Sequence, residues 1–339
     1  MRSVSIIFVL SIVAYFLPQV EHRKVIAPED AVASILTELG DGEIDHLPDT
    51  SNPKVSVEAG KNIVLFGNVD GKTSVASKKQ SKHFVCTSCH NVVKENPDLS
   101  KPSPEARLDY AIKNKIPFLQ GTALYGAVNR TSFYNGDYEK KYGDLVEAAR
   151  NNLREAIQLC AVECSQGRAL KSWELESVLS YLWTIDLKIE DLNLSPDQLV
   201  QISEALNEEM DKAKAIKIIK SKYLPNSPAN FVDPPTNREE GFAYQGNPEN
   251  GKWIYELSCQ HCHEKKRYSH FNLDDTKHSF KHLNKHITRY TRYSVYQVTR
   301  YGTSPKNFKR AYMPQYTKEK MSNQQLADLR AYIESRADS

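Results

Sequence analysis

The stretches CTSCH at residues 86–90 and CQHCH at residues 259–263 repeat the pattern C-x-x-C-H. Two thiols in this spacing lie on one helical turn, so that each can form a thioether with one vinyl group of a porphyrin. The histidine that follows can then supply an imidazole nitrogen to the iron. The pattern is the attachment signature of c-type haem, and its two copies predict two haem groups.

Other uses of paired cysteines fit this sequence poorly. Zinc sites built from two C-x-x-C pairs usually hold the pairs about 15–20 residues apart, and here a far longer stretch of chain separates them. A thioredoxin-like redox motif needs a βαβ context, which the sequence lacks. We therefore predict two covalently bound haem c groups, each with one iron. Their cofactor-binding residues are Cys86, Cys89 and His90 in the first motif, and Cys259, Cys262 and His263 in the second.

Length and composition limit the classes of protein to which the chain can belong. The chain has 339 residues, is 40% hydrophobic and 26% charged, and carries a formal net charge of +3. These values suit an ordinary globular protein of two domains and exclude collagen, a wholly disordered chain and a multi-span membrane protein. The small net charge gives no support for binding of nucleic acid. Six cysteines are too few for a disulfide scaffold.

Helical spacing of apolar residues dominates the chain, and alternating runs of β-branched residues are almost absent. We predict an all-α fold in which two cytochrome c-type helical domains are joined by a helical linker. The predicted segments are a signal peptide or N-terminal membrane anchor at 1–20, a tether at 21–54, the first domain with haem 1 at 55–192, the linker at 193–245, and the second domain with haem 2 at 246–339.

Each predicted domain begins with a helix that carries a glycine, Gly60 or Gly251, and ends with an amphipathic helix. The final helix of the first domain begins at Ser172, and that of the second begins at the capping-box pair Ser322 and Gln325. This weak internal duplication agrees with the duplicated motif.

The connecting segments also carry helix signals. A short helix is predicted at 28–39 within the tether. One long helix is predicted at 196–224 in the linker, with Ser195 as its N-cap.

The N-terminus predicts export. Met1 and Arg2 precede an apolar run at 4–17, which is the length of a secretory signal and short for a full membrane span. No clear Ala-x-Ala cleavage site follows, so retention as an anchor is an alternative, and a buried N-terminal helix is another. Either export interpretation places the rest of the chain in the periplasm.

Met313 is the predicted distal ligand of haem 2. Methionine offers a soft thioether suited to iron, and Met313 lies in a loop just before the last helix. Met321 is a rival, but it adjoins the helix cap and no proline follows it. Four histidines are further candidates, three of which recur every four residues between lysines and thus favour a solvated helical face: His270, His278, His282 and His286.

The first domain lacks a matching methionine, because Met210, between the two motifs, falls in the polar linker helix. A helix predicted at 144–166, with Gly167 as its C-terminal cap, carries Cys160 and Cys164 on its apolar stripe. Both thiols are thus expected to face the core, where a thiolate could ligate haem 1. Buried cysteines that serve only in packing, or a disulfide between them, are the alternatives.

The second domain resembles a class I cytochrome c. The resemblance rests on NPENGKWIYELSCQHCH at 247–263 and YMPQYTKEKMSNQQLADLRAYIES at 312–335. It implies that Gly251 and Tyr255 form the helix-contact pair of that family and that Met313-Pro314 is its distal-ligand loop.

The first domain resembles the thiosulfate dehydrogenases and sulfur-oxidation cytochromes of bacteria, through VCTSCHN at 85–91 and a long stretch at 151–185. The resemblance implies a distal thiolate from Cys160 or Cys164, which it does not distinguish. It also implies oxidation of paired thiosulfates to tetrathionate, or the reverse. Arg154 and Arg168 flank the two cysteines and could hold the oxyanions, although binding haem propionates or solvating the surface is an equally good role for them.

A redox partner protein is the expected macromolecular partner. Residues 264–310 contain twelve Lys and Arg against three acids, a balance that would steer an acidic cytochrome, oxidase or quinol-oxidising complex. Two functions remain open. The chain is either a periplasmic oxidoreductase acting on sulfur oxyanions or a non-catalytic electron carrier or redox subunit.

Overall fold

The computed structural model describes residues 24–42, 45–71, 75–207, 211–304 and 311–338. Within these ranges helices are the only regular secondary structure, apart from one isolated bridge between Ala31 and Lys188. The prediction of an all-α fold is confirmed. The predicted signal or anchor at 1–20 and Met210 lie outside the described residues.

The α-helices in chain order are α1 Val32–Glu38, α2 Val57–Phe66, α3 Pro104–Asn114, α4 Gly136–Tyr142, α5 Leu153–Leu159, α6 Ser172–Leu182, α7 Pro196–Asn207, α8 Lys212–Lys220, α9 Pro248–Ile254, α10 Gln260–His263, α11 Lys277–Ile287, α12 Val295–Tyr301 and α13 Asn323–Asp338. Helix α5 continues as a π-helical turn at Cys160–Cys164, and α9 continues as another at Tyr255–Cys259.

The same helix crossing occurs twice. In the first half, α2 packs on α6 with Gly60 against the chain at Ser177: a Cβ on Gly60 would lie 1.8 Å from the Ser177 carbonyl oxygen and 3.0 Å from Tyr181 Cβ. In the second half, a Cβ on Gly251 of α9 would lie 2.0 Å from the Asp328 carbonyl oxygen of α13. Only glycine permits so close an approach of two backbones.

The second crossing repeats the first in detail. A Cβ on Gly251 would also lie 2.7 Å from Tyr332 Cβ, four residues after Asp328, as Tyr181 is four residues after Ser177. Tyr255 is fully buried and its ring centroid lies 5.8 Å from that of Tyr332. The expected helix contact of Gly251 and Tyr255 is therefore present.

The helix ends predicted at the two capping sites are also present. The Ser322 hydroxyl accepts from the Gln325 amide at 3.1 Å, and the Gln325 side chain accepts from the Ser322 amide at 2.9 Å. The Ser195 hydroxyl accepts from the Gln198 amide at 3.3 Å, which caps α7. Helix α6 begins at Ser172 as predicted.

A third core lies between the segments predicted as tether and linker. Buried Ile35 and Leu39 of α1 pack with Ile202 of α7 and Ile219 of α8. The tether segment thus contributes to a folded core. The prediction of one linker helix at 196–224 is wrong: Asp211, with φ of 61°, cannot continue a right-handed helix, and α8 begins after it.

Helix α3 belongs to the first half of the sequence but packs in the second core. Leu108, Ala111 and Phe118 are buried in the same cluster as Tyr255 and Leu326. The Phe118 amide donates to the Leu257 carbonyl at 3.0 Å. The two halves therefore share a core. The predicted boundaries at 192 and 246 assign α3 to the first domain, although it packs in the core of the second.

A buried charged triad lies at this junction. Glu95 accepts from Lys320 Nζ at 2.6 Å and lies 3.3 Å from Arg107 Nη2, and all three residues are buried. Arg107 Nη1 also donates to the Lys320 carbonyl at 2.8 Å. Burial alone would raise the pKa of Glu95, but the two cations hold that pKa far below its usual range. Burial lowers the pKa of Lys320 to about 8.

The helix predicted at 144–166 is wrong in its extent. The Asn152 side chain accepts from the Arg154 and Glu155 amides and so begins a new helix, α5. Leu145, at the start of the predicted helix, is exposed. Gln166 adopts the left-handed conformation expected of Gly167. Gly167 is required for another reason, since its Cβ would lie 2.2 Å from Gln80 Nε2.

None of the helices in the described ranges combines the length and the apolar character that crossing a bilayer demands.

We predict that Gly60→Ala and Gly251→Ala each destabilise the protein, because the added methyl group collides with a carbonyl oxygen in a packed crossing. The free energy of unfolding should fall by about 1–3 kcal/mol. Urea unfolding followed by circular dichroism measures the change. Gly136→Ala is the control, since nothing lies within 4 Å of its Cβ. Equal midpoints for all three variants would contradict the close crossings.

We predict that Glu95→Gln lowers the free energy of unfolding by about 3–5 kcal/mol at pH 7, because it leaves two buried cations unpaired. The carboxylate of Glu95 has a lowered pKa in the folded state, so its contribution is present above its ordinary value of 4.5 and is lost as the pH falls below it. The difference between wild type and variant should shrink accordingly in acid.

Glu139→Gln is the matched control for Glu95→Gln. Glu139 pairs with Arg150 at 3.0 Å on the surface, where both side chains are about half exposed. Its loss should change stability by no more than about 1 kcal/mol. Similar urea midpoints for the two variants would show that the buried triad contributes no more than a surface ion pair.

Candidate functional site

The first motif is held in a tight turn. Residues Cys86–Ser88 form one 3-10 turn, and the His90 amide donates to the Cys86 carbonyl at 3.0 Å. The Ser88 hydroxyl accepts from the Val85 amide at 3.0 Å and is fully buried. The turn places the two thiols and the imidazole of this motif in one local unit.

The imidazole of His90 is fixed by the chain that passes over it. His90 Nδ1 lies 2.6 Å from the Thr122 carbonyl oxygen. A Cβ on Gly121 would lie 2.7 Å from His90 Cε1, so only glycine fits there. Burial lowers the pKa of His90, which favours the neutral ring. With the proton on Nδ1, Nε2 carries the lone pair that a metal needs.

The second motif repeats this arrangement on a different local structure. It spans the end of the π-helical turn at Tyr255–Cys259 and the short helix α10. His263 Nδ1 lies 2.8 Å from the Phe271 carbonyl oxygen. Burial also lowers the pKa of His263. Both motif histidines are therefore neutral, with Nδ1 held by a carbonyl group and Nε2 left as the ligand atom.

The residues present fit covalent haem in both places. The four motif thiols, those of Cys86, Cys89, Cys259 and Cys262, are free and half-buried. Burial raises the pKa of each, which keeps the four thiols protonated at neutral pH. When bound, a haem in each motif supplies an iron that gains and loses one electron.

The two motifs lie against each other. Cys262 Sγ lies 3.9 Å from the Ser88 carbonyl oxygen. The His261 ring lies beside the Thr87 carbonyl, and burial lowers its pKa to about 4. After burial, the Cys262 thiol contributes most to the raised pKa of Cys89. Two sites separated widely in sequence are thus in direct contact.

Residues 246–333 match the family model described as cytochrome C oxidase, cbb3-type, subunit III. This segment is a c-type cytochrome domain. The cytochrome domain contains the second motif, and it implies covalent haem c and electron transfer. No curated protein and no solved structure matches the chain significantly. The match does not reach the first motif, so a second haem and the resemblance to thiosulfate dehydrogenases stay predictions.

The loop of the cytochrome domain that carries Met313 contacts α4, where Gln315 Nε2 donates to the Tyr142 hydroxyl at 2.9 Å. The Met313 amide donates to Thr303 Oγ1, and the Met313 carbonyl accepts from the Thr303 amide, both at 2.8 Å. Beside it, the Tyr312 ring packs edge-on against Phe84 at 5.9 Å. Met313 is half-buried, whereas its rival Met321 is 1% exposed in the hydrophobic core. Met313 remains the predicted ligand.

Cys160 and Cys164 lie close to the first motif. The Ser165 amide donates to the Cys160 carbonyl at 2.8 Å, which closes the π-helical turn. The two thiols contact each other, and their hydrogen bond raises the pKa of Cys164. Cys164 is also an electrostatic neighbour of both His90 and Cys89.

The expectation that both of these thiols face the core is only partly right. Cys160 is half-buried, but Cys164 is exposed. Both thiols lie on a π-helical turn, whose wider winding departs from the 3.6-residue spacing that the predicted stripe assumes. Cys164 therefore faces the first motif from an accessible position.

Arg154 and Arg168 are already paired. Arg154 donates to both carboxylate oxygens of Glu176 at 2.8 Å. Arg168 donates to both carboxylate oxygens of Glu174 at 2.6 Å. Both guanidinium groups are thus paired with carboxylates of α6. These pairs hold α6 against the segment that carries Cys160 and Cys164.

Several residues that shape the site carry no motif in the sequence. The carbonyl groups of Thr122 and Phe271 act through the backbone, which leaves no side-chain signal. Tyr134, Tyr138 and Tyr142 do show a signal, since they recur every four residues across α4. That spacing could have predicted one aromatic face.

We predict that the purified holoprotein contains two haems, one on each motif. Substitution of Cys86 and Cys89 by alanine should remove one haem, and substitution of Cys259 and Cys262 should remove the other. Intact-mass spectrometry and pyridine haemochrome spectra give the count. The matched cysteine control, Cys160→Ala with Cys164→Ala, should keep both. A wild-type protein with one haem would disprove attachment at the first motif.

Proposed function

We propose that this protein is an exported dihaem electron-transfer protein whose first haem, ligated by a thiolate of the pair Cys160 and Cys164, acts on sulfur oxyanions. Haem 2, in the cytochrome domain, would relay electrons to a partner. The observation that carries the proposal is the position of Cys164, an accessible thiol that neighbours both His90 and Cys89.

Thiolate ligation of haem 1 is supported by residues at three positions. His90 Nε2 offers one axial nitrogen. The thiol pair lies next to that histidine, on a π-helical turn of a kind often found at functional sites. A thiolate ligand lowers the potential of a haem, whereas a His/Met pair such as His263 and Met313 raises it. Two sites of unlike potential would then lie side by side.

The contact between the motifs supports transfer between them. The 3.9 Å approach of Cys262 Sγ to the Ser88 carbonyl joins the two attachment sites with little intervening protein. Oxidation of two thiosulfate anions forms one S–S bond and releases two electrons. Each attachment site can take one of them, so the pair matches the stoichiometry of that reaction.

The partner would dock on the exposed cations of the cytochrome domain. The exposed residues of this basic surface are Lys265, Lys266, Arg267, Lys277, Lys281, Lys285, Arg289 and Arg292. Arg300, counted among the cations of 264–310, is 2% exposed and does not contribute. Steering of an acidic redox protein to this surface would accelerate association at low salt. Haem attachment outside the cytoplasm agrees with the export predicted from residues 1–20.

A second candidate function is a non-catalytic electron carrier or redox subunit. The pairing of Arg154 with Glu176 and of Arg168 with Glu174 favours it, because the guanidinium groups expected to hold oxyanions are engaged elsewhere. In that case the thiols of Cys160 and Cys164 would only ligate the iron of haem 1 or stabilise the fold.

We predict that thiosulfate, added anaerobically, reduces the oxidised holoprotein with formation of tetrathionate. A low-temperature magnetic resonance spectrum of the oxidised protein should show one thiolate-bound low-spin iron. That signal should be lost in Cys160→Ala or in Cys164→Ala, and the variant that loses it identifies the ligand. The spectrum of the second haem should stay unchanged in both.

Two outcomes would contradict the proposal. If neither alanine variant alters a haem, no thiolate ligates the iron. If neither thiosulfate nor tetrathionate exchanges electrons with the wild-type protein while an acidic redox partner does, the carrier function is the correct one.

A further inference from the structure

A buried glutamine binds the π-helical turn at Cys160–Cys164, which we call the thiol turn. Gln80 is 7% exposed, and its Nε2 donates to the Ala161 carbonyl at 2.6 Å and to the Arg168 carbonyl at 3.2 Å. The backbone carbonyl of Gln80 accepts from the Arg168 amide at 2.9 Å. One side chain thus spans the distance from the second residue of the thiol turn to the segment that follows it.

The Ala161 carbonyl distinguishes the two forms that this turn could adopt. In an α-helix it would accept from the Ser165 amide, four residues later. That amide donates instead to the Cys160 carbonyl at 2.8 Å, which is the π-helical bond. The Ala161 carbonyl accepts from Gln80 Nε2 and, at 3.1 Å, from the Gly167 amide. Gln80 therefore occupies the acceptor that the α-helical form of the turn needs.

Two serine hydroxyls complete this contact. Ser81 is 4% exposed, and its hydroxyl donates to the Ser165 carbonyl at 2.6 Å. The Ser165 hydroxyl lies 3.0 Å from Gln80 Oε1 and 2.7 Å from the Ala161 carbonyl oxygen, so either atom can accept its proton. Separating these groups would be costly, because buried donors and acceptors would be left without partners.

The same segment leads directly into the first attachment motif. The Ser81 hydroxyl also accepts from the His83 and Phe84 amides, at 3.0 and 3.3 Å. The motif begins two residues after Phe84, and the Val85 amide donates to the Ser88 hydroxyl inside it at 3.0 Å. The thiol turn and the first motif are therefore joined through one short, internally bonded stretch of chain.

We propose that Gln80 is a positioning residue, which holds the thiol turn in its π-helical form and so sets where Cys160 and Cys164 lie relative to the first motif. Without the side-chain donor of Gln80, the Ala161 carbonyl would be open to the Ser165 amide, and the turn would rewind as α-helix. The inference rests on the proposed function, because that function makes one of these thiols a ligand of haem 1. It goes further in assigning the placement of that ligand to a residue 81 positions before Ala161.

The test compares one substitution at two buried glutamines. Gln80→Met removes the side-chain donors and acceptor and keeps the length of the side chain. Gln325→Met is the matched control, since Gln325 is 1% exposed and its Nε2 donates to the Pro104 carbonyl at 2.8 Å. Both changes should lower the urea midpoint, because each removes buried hydrogen bonds. Only Gln80→Met should alter the thiol turn.

Two measurements on the oxidised holoprotein report on the thiol turn. In the low-temperature magnetic resonance spectrum, the thiolate-bound signal should weaken in Gln80→Met and a second haem 1 species should appear, because the ligand is no longer held in one position. Iodoacetamide should label the half-buried Cys160 about tenfold faster, since loss of a hydrogen bond raises the population of opened turns by about that factor. Peptide mass spectrometry gives the labelling rate. Ser165→Ala, which removes one hydroxyl, should have the same effects to a smaller extent, and it serves as the test if Gln80→Met does not fold.

Each outcome decides either the inference or the proposed function. If wild-type protein shows a thiolate-bound iron, and neither Gln80→Met nor Ser165→Ala alters that signal or the labelling of Cys160, the inference is overturned while thiolate ligation stands. If Gln325→Met has effects as large as those of Gln80→Met, the changes report general stability and the inference is also overturned. If wild-type protein shows no thiolate-bound iron, the proposed ligation fails, and the labelling rates alone decide whether Gln80 holds the turn.

Discussion

The close crossing of two backbones at a glycine is the constraint on which the rest of this structure depends. At Gly60 and again at Gly251, a helix that precedes a C-x-x-C-H motif lies directly on a carbonyl group of a later helix. In the second half, α9 continues through a π-helical turn into the motif, so the crossing also places Cys259 relative to the core. The following carbonyl groups, at Thr122 and Phe271, then orient the imidazoles. Because a carbonyl group holds Nδ1 in both motifs, both histidines present Nε2 as the ligand atom.

The local features of the fold could be predicted from sequence, and the long-range ones could not. The motifs and the capping pair Ser322 and Gln325 lie within a few residues of the structure they specify, whereas the two glycines contact helices far along the chain. The contact between Glu95 and Lys320 spans 225 positions. No periodicity indicates it, because a buried ion triad has the same composition as three solvated charges. The placement of α3 in the second core escaped prediction for the same reason.

The candidate site shows where residue type alone is a poor guide. Arg154 and Arg168 have the chemistry for binding oxyanions. Both guanidinium groups are already paired with carboxylates, Arg154 with Glu176 and Arg168 with Glu174. Cys160 and Cys164 were expected on a regular helix, and a π-helical turn changes the exposure of Cys164. In both cases the neighbours of a side chain decide what it can do.

The placement of α3 has a consequence for how the two C-x-x-C-H motifs relate. Since Phe118 is bonded to Leu257 and Leu108 fills the core around Tyr255, neither half can swing away without opening a hydrophobic interior. The spacing of the motifs is therefore set by folding and does not await a chance encounter of flexible lobes. If both motifs carry haem as proposed, an electron passing between them would cross a gap set by the fold, while the arrival of an outside partner at the basic surface would depend on salt.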